Sequence, residues 1–254
     1  MSIPNIILYD IPSAHPRVAW SPNTFKSRYV LNFKGLAYTT KWVEYPDIEP
    51  LCKEIGGAPT RNKPDGRPHY TLPMIHDLNT GIVVTDSLNI AMYLDKTYPS
   101  TPQLLPPSAW PLFRAFDDAM QPLLAPVYPF ALPLSQRILN PPSGAYFRET
   151  REKTLGQMLD ALLDGAERDP AQWAQVKASF ATIEGWMKTS LADDAANARF
   201  FGGAHPSYAD LYIAAYLLWL KTVLPAERWR DVESWNGGRW AELLATLAKY
   251  ETVV

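Results

Sequence analysis

A single cysteine, Cys52, in 254 residues excludes an internal disulfide framework, a CxxC redox pair and a cysteine zinc cluster. Histidine is nearly as scarce, and His15, His69, His76 and His205 lie too far apart in the chain to suggest a metal site. Neither sign of charge is in excess: 24 Lys plus Arg stand against 26 Asp plus Glu, a formal net charge of -2. That balance, with no Lys/Arg stripe, argues against a nucleic-acid binder. Long apolar runs are missing too. The best, Leu211 to Leu220, is about half the roughly 20 residues that cross a membrane. The opening Met1-Ser2-Ile3-Pro4-Asn5 has neither the basic flank nor the apolar run of a secretion signal, so a soluble cytoplasmic protein is expected.

What is plentiful is proline, 24 residues, and tryptophan, 9 residues. The length suits one or two domains with a proper core, and the grammar changes near residue 100. Before it, strand and helix signals alternate. Ile6-Ile7-Leu8-Tyr9 predicts a strand, and Ser21-Pro22 opens a helix that carries Phe25, Tyr29 and Phe33 to Gly35. Tyr38 to Tyr45 predicts a second strand, Asp47 to Ile55 a short helix, and Ala58 to Tyr70 a loop. A hairpin over Leu72–His76 and Ile82–Val84 follows, then a helix from Ser87 to Tyr98. The order is βαβ, a weak helix, then ββα.

Beyond the stiff proline-rich connector Pro99–Pro111 the pattern is helical. Leu155, Met158, Leu159, Leu162, Leu163 and Ala166 suggest one apolar stripe; Trp173, Val176, Phe180, Ile183, Met187 and Leu191 suggest another. Ser207 to Lys221, apolar nearly all round, predicts a central buried helix, and Trp240, Leu243, Leu244 and Leu247 a last amphipathic one. Pro122, Pro126, Pro129 and Pro133 should kink or break the helix they interrupt.

Three places could carry chemistry. Ser21 begins a helix, where unpaired N–H groups and the helix dipole favour negative charge; its hydroxyl either caps the helix or donates to a thiolate held nearby. A free thiol titrates at about 8.5, and helix N-termini lower that value. Pro73 can only sit at a strand's edge or first position; with a cis bond, Leu72 would turn its backbone N–H and C=O outward to a peptide ligand. Asp86-Ser87 opens a helix, as a cap, as a site for a ligand carboxylate on Ser87 and an ammonium on Asp86, or as both.

Ser21-Pro22-Asn23-Thr24, Thr71-Leu72-Pro73 and Asp86-Ser87, in this order and spacing, resemble the cytosolic glutathione transferases. Phe200-Phe201-Gly202-Gly203 and Ser207-Tyr208-Ala209-Asp210 look like that family's capping box, a structural device in which Ser207 caps and Asp210 returns the bond. The resemblance implies an α/β plus all-α fold: a thioredoxin-like βαβ-ββα domain over residues 1–99, then an all-helical domain over 110–254. The lead-in from Tyr9 to Trp20 and the segment Phe25-Lys26-Ser27-Arg28-Tyr29 resemble bacterial lignin β-etherases and their fungal relatives, the FuA class, and the Thr60–Tyr70 loop, longer than in the bacterial enzymes, favours the fungal group.

Carried over, the resemblance implies glutathione as co-substrate, with no metal. Ser21 would hydrogen-bond its sulfur, the Leu72 backbone before Pro73 its cysteinyl unit, and Asp86 and Ser87 its γ-glutamyl end. One of Lys41, Arg67 and His69 would meet the glycine carboxylate. Tyr9 is a competing activator, although its apolar setting favours packing. Serine at 21 fits thiolate stabilisation, because only cysteine there could form a mixed disulfide. Asn23, Phe25, Trp110, Phe113, Phe116, Met120 and Tyr128 are candidates for a hydrophobic second-substrate pocket, some of them as plain packing. The implied activity is conjugation to, or ether cleavage of, aromatic electrophiles by a homodimer. The rival is a non-catalytic carrier of wood-derived polyphenols or other aromatic compounds; a scaffold that kept the fold without the chemistry is disfavoured by Ser21 and Asp86-Ser87. Cys52 is expected to be a small apolar filler.

Overall fold

A computed structural model describes residues 5–63, 65–189 and 199–254. Strand β1 (Ile6–Asp10) leads into helix α1 (Pro22–Phe33), strand β2 (Tyr38–Trp42) and helix α2 (Ile48–Glu54). Two-residue strands β3 (Arg61–Asn62) and β4 (Pro68–His69) precede β5 (Met74–Asp77), β6 (Ile82–Thr85) and helix α3 (Ser87–Thr97). The main sheet runs β2-β1-β5-β6, with β1 parallel to β2 and antiparallel to β5. This is the mixed sheet of a thioredoxin-like domain. The second strand is shorter than its sequence suggests, because its partner β1 ends at Asp10, opposite Trp42, and the chain then turns through a 3₁₀ turn at Tyr45–Asp47. Residues 58–70 are not a plain loop either. Arg61 pairs with His69 and Asn62 with Pro68, and Gly66, at φ 81°, supplies the backbone conformation the reversal needs.

The second half is all helix: α4 (Trp110–Leu124), α5 (Tyr128–Ile138), α6 (Pro141–Leu155), α7 (Leu159–Arg168), α8 (Pro170–Thr189), α9 (Tyr208–Val223), α10 (Ala226–Ser234) and α11 (Arg239–Leu247). Pro126 and Pro129 stand at the expected break, a 3₁₀ turn at Ala125–Val127 between α4 and α5, whereas Pro122 and Pro133 lie inside α4 and α5. The stripe beginning at Leu155 is interrupted, however. Gly156, left-handed at φ 69°, ends α6, so Leu155 and Met158 stand exposed while Leu159, Leu163 and Ala166 pack inside. On α8, Val176, Phe180, Ile183 and Met187 are buried; Leu191 lies outside the described residues. Every residue of α9 from Tyr208 to Leu220 is buried. Its start is held by the capping box, with Asp210 accepting from the Ser207 N–H at 2.8 Å and the Phe201 N–H at 2.9 Å. Among the described residues no helix is long and apolar enough to cross a membrane.

The two halves are joined through α1, which packs on α9. On its other side Arg28, fully buried, pairs with Asp10 of β1 at 2.7 Å and donates to Tyr38 Oη and Thr40 Oγ1. The end of the chain returns to the same helix: Asn32 donates to the Tyr250 and Thr252 carbonyls, and Glu251 accepts from Tyr29 and Arg17. On the far side of the junction Glu44 accepts from Asn140 and Ser143 of the segment opening α6. The junction is therefore fixed at both ends, and a cleft lies between.

Candidate functional site

That cleft, about 590 Å³, is bounded by the start of α1, the β3–β4 hairpin, the turn into β5 and the cap of α3 on one side. Side chains of α4, α5, α6 and α9 close the other.

Ser21, only 4% exposed, lines it at the N-cap position of α1, with Pro22 in the first turn. The hydroxyl makes no capping bond; the carbonyl of Ser21 instead accepts from Thr24 Oγ1 and from the Phe25 N–H. The capping role open to a serine here is thus not the one its side chain performs. Tyr9, by contrast, is buried in the core at 2% exposure, and burial raises its phenol above the ordinary value.

Leu72 and Pro73, joined by a cis peptide bond, line the cleft immediately before β5, so the Leu72 N–H and C=O lie outside the sheet ladder. Asp86 caps α3, accepting from the Leu88 and Asn89 N–H groups at 3.1 Å each. Its own backbone sits at φ 74°, a conformation that disfavours every residue but glycine and clusters at working sites. Arg114 of α4 approaches its carboxylate at 3.8 Å. Ser87, buried beside it, accepts a hydrogen bond from Tyr208 at 3.1 Å.

At the hairpin end the cleft is basic. His69 lines it with Arg61, Lys63 and, from α6, Arg151. His69 Nδ1 accepts from Arg61 Nε at 3.1 Å; burial first, and then the neighbouring cations, lower its pKa and keep the imidazole neutral. The other two cations expected here stand elsewhere. Lys41 is exposed on β2, its Nζ 5.8 Å from the Tyr9 ring, and Arg67 is an exposed hairpin residue paired with Asp65 at 2.6 Å. Arg61, Lys63 and Arg151 carried no sequence signal, because only the hairpin and the approach of α6 bring them together.

At the opposite end Asn23 and Lys26 of α1 face Asp117, Asp118 and Gln121 of α4, Tyr128 of α5 and Tyr216 of α9. Of the aromatic candidates only Tyr128 lines the cleft. Phe25 is core, against Tyr29; Trp110 and Met120 are buried; Phe113 packs on Phe116 and Tyr208, and Phe116 on Phe201 and Tyr212. The reason is helical geometry: α4 turns its apolar stripe to α9 and presents Asp117, Asp118 and Gln121 to the opening. Cys52 is buried on α2, its sulfur 3.7 Å from that of Met74, and burial pushes its thiol up, as befits a filler. Among the described residues no group of three or more His, Cys, Asp or Glu side chains could hold a metal ion.

Residues 20–97 match the family model for the N-terminal domain of glutathione S-transferases, and residues 111–250 that for their C-terminal domain. The crystal structure of glutathione transferase GSTFuA3 from Phanerochaete chrysosporium superposes with a TM-score of 0.92 at 41% identity, covering 100% of both chains. A glutathione S-transferase of Ceriporiopsis subvermispora, crystallised in complex with glutathione, matches at 46% identity and a TM-score of 0.89 over 98% of each chain. The glutathione S-transferase-like protein ustS of Aspergillus flavus is 31% identical over 246 residues, 92% of this chain and 87% of its own. With both domain types matched in order around this cleft, the chain belongs to the glutathione S-transferase family, and its structural neighbours are fungal enzymes of the FuA class.

Proposed function

We propose that the cleft binds glutathione as co-substrate and that the Ser21 hydroxyl donates to its sulfur, holding a thiolate for attack on an aromatic electrophile. The observation that carries this reading is the Ser21 side chain: it stands at a helix start, makes no capping bond and lines the same cleft as Leu72, Asp86 and Ser87. A sulfur anion there meets the free N–H groups and positive end of α1, which shift a thiol toward its anion at neutral pH. The Leu72 N–H and C=O are available for the cysteinyl backbone, Asp86 for the γ-glutamyl ammonium and Ser87 for its carboxylate. His69, Arg61, Lys63 and Arg151 surround the position of the glycine carboxylate. Support for the ligand itself comes from the Ceriporiopsis relative crystallised with glutathione.

In the reaction the sulfur–carbon bond forms as a halide, or an aryloxide in ether cleavage, departs from the carbon attacked. Attack is favoured because both partners are held side by side. Replacing Ser21 with Ala removes a hydrogen bond to a charged group, so conjugation to an aryl halide should slow by about ten- to a hundredfold. An unchanged rate would remove Ser21 from the mechanism. The tyrosines along the cleft, Tyr45, Tyr70, Tyr128, Tyr146 and Tyr216, favour a second reading, a carrier of aromatic compounds. In that case phenolic ligands bind equally well to the wild type and to Ser21→Ala, and no turnover accompanies either.

A further inference from the structure

Lys26 is 5% exposed and lines the cleft, yet among the described residues its ammonium has no carboxylate within ion-pair distance. It lies instead over the rings of Tyr212, 4.3 Å from the centroid, and Tyr216, 5.7 Å from the centroid. Aromatic faces hold a cation without neutralising it. A buried charge left unpaired opposes folding, so a lysine kept here points to a group that arrives with a ligand.

Its position says which group. Ser21 and Lys26 stand five residues apart on α1, about 7.5 Å along the helix axis, with Asn23 on the same face as Lys26 at a three-residue spacing. Tyr128 and Tyr216 line the space beside them. An aromatic electrophile attacked at the Ser21 end would therefore direct its far substituent toward Lys26. Asp86 and Asp117 attract Lys26 across the cleft and favour its charged form, so the partner this ammonium fits is an acceptor oxygen.

On the reading of this cleft as a thiolate site, we propose that Lys26 is a catalytic residue for conjugate addition of glutathione to aryl enones, stabilising the charge that reaches the carbonyl oxygen. The thiolate forms a bond to the β-carbon and the C=C π pair moves to the oxygen as an enolate beside the Lys26 ammonium. A proton supplied through Lys26 or solvent then completes the C–H bond at the α-carbon. No oxidant or leaving group is involved. Charge developing on an oxygen next to a fixed cation in a partly dry site is the arrangement that lowers such a barrier.

Burial pulls the Lys26 ammonium down to about 8, against the attraction of Asp117 and Asp86. The groups facing it are Asp117 and Asp118 on α4, Asp86 at the cap of α3, Tyr128 on α5, and Tyr212 and Tyr216 on α9. The three phenols are raised above their ordinary value and burial raises Asp117 as well. Lys26 is the cation among these groups, and it loses its charge as pH rises through about 8.

The test compares kcat/KM for trans-4-phenyl-3-buten-2-one with that for benzyl chloride, which has no acceptor oxygen. In Lys26→Met the enone-to-halide ratio should fall about a hundredfold, and Lys26→Arg should restore most of it. In the wild type the ratio should decline as pH rises through about 8, a limb absent from Lys26→Arg. A ratio unmoved by Lys26→Met overturns the assignment. Should that variant fail to fold, a wild-type ratio flat from pH 7 to 9 overturns it equally. A wild type that conjugates neither electrophile overturns the thiolate reading itself, which keeps the two failures apart.

Discussion

Arg28 and Lys26, two residues apart on α1, are both buried cations, and they are buried for opposite reasons. Arg28 turns to the sheet, where the Asp10 carboxylate meets it at 2.7 Å and two hydroxyls accept from it. Lys26 turns to the cleft, where its ammonium lies over the Tyr212 and Tyr216 rings and, among the described residues, makes no ion pair. One charge is satisfied within the protein and locks a helix to a strand. The other is left to something that binds. Burial alone therefore does not separate structure from chemistry; the partner does.

The most forceful way to break that contrast is to remove the paired cation. Arg28→Ala leaves Asp10 buried without a counter-charge and should lower stability by about 3–5 kcal/mol, read from chemical denaturation. A loss no larger than that of an exposed arginine would show that the pair contributes nothing. Ser21 sharpens the contrast from the side of the cleft. A serine that caps a helix loses about 1 kcal/mol when replaced by Ala. Because the Ser21 hydroxyl caps nothing, Ser21→Ala should change stability by less than about 0.5 kcal/mol while slowing conjugation as described above.

Asp86 mixes the two roles, since it both caps α3 and faces the cleft. Asn caps as well as Asp, so Asp86→Asn should keep stability within about 1 kcal/mol yet raise the KM for glutathione about tenfold. An unchanged KM in initial-rate kinetics would make Asp86 a cap alone.

Lys26 itself adds a pH dependence. Lys26 holds its proton to about 8 in the fold, below its ordinary value, so between there and the ordinary lysine range the unfolded chain binds more protons. Stability of the wild type relative to Lys26→Met should then rise with pH across that window and stay flat below it. Denaturation of both proteins at pH 7, 8.5 and 9.5 reads this directly, and parallel curves would contradict it.

Much of the architecture was legible because it rests on local rules. The apolar run Ile6–Tyr9, the Ser21-Pro22 start, the proline breaks and the Ser207/Asp210 box each act within a few residues, and each stands where its signal lies. The misread segments depend on contacts made at a distance. The pairing of Arg61 with His69 is a two-residue ladder with no hydrophobic alternation to announce it. The choice of Phe113, Phe116 and Met120 as pocket residues failed because composition shows that α4 is aromatic, not which way it faces. Lys26, Asp117 and Arg151 were missed for a related reason: a lone charge on a helix looks like a solvated one until a second element covers it.

Residue order alone determined the sequence of strands and helices, the two-part division of the chain and the hydroxyl, proline and carboxylate that mark the cleft, since turn, cap and periodicity preferences are set by near neighbours. Only the tertiary structure decided that Ser21 does not cap, that His69 rather than Lys41 or Arg67 reaches the cleft, and that Lys26 is buried without an ion pair among the described residues. Those outcomes depend on which surfaces α4, α6 and α9 bring against the first domain, and burial, the quantity that gives a charge its chemistry, exists only once they have packed.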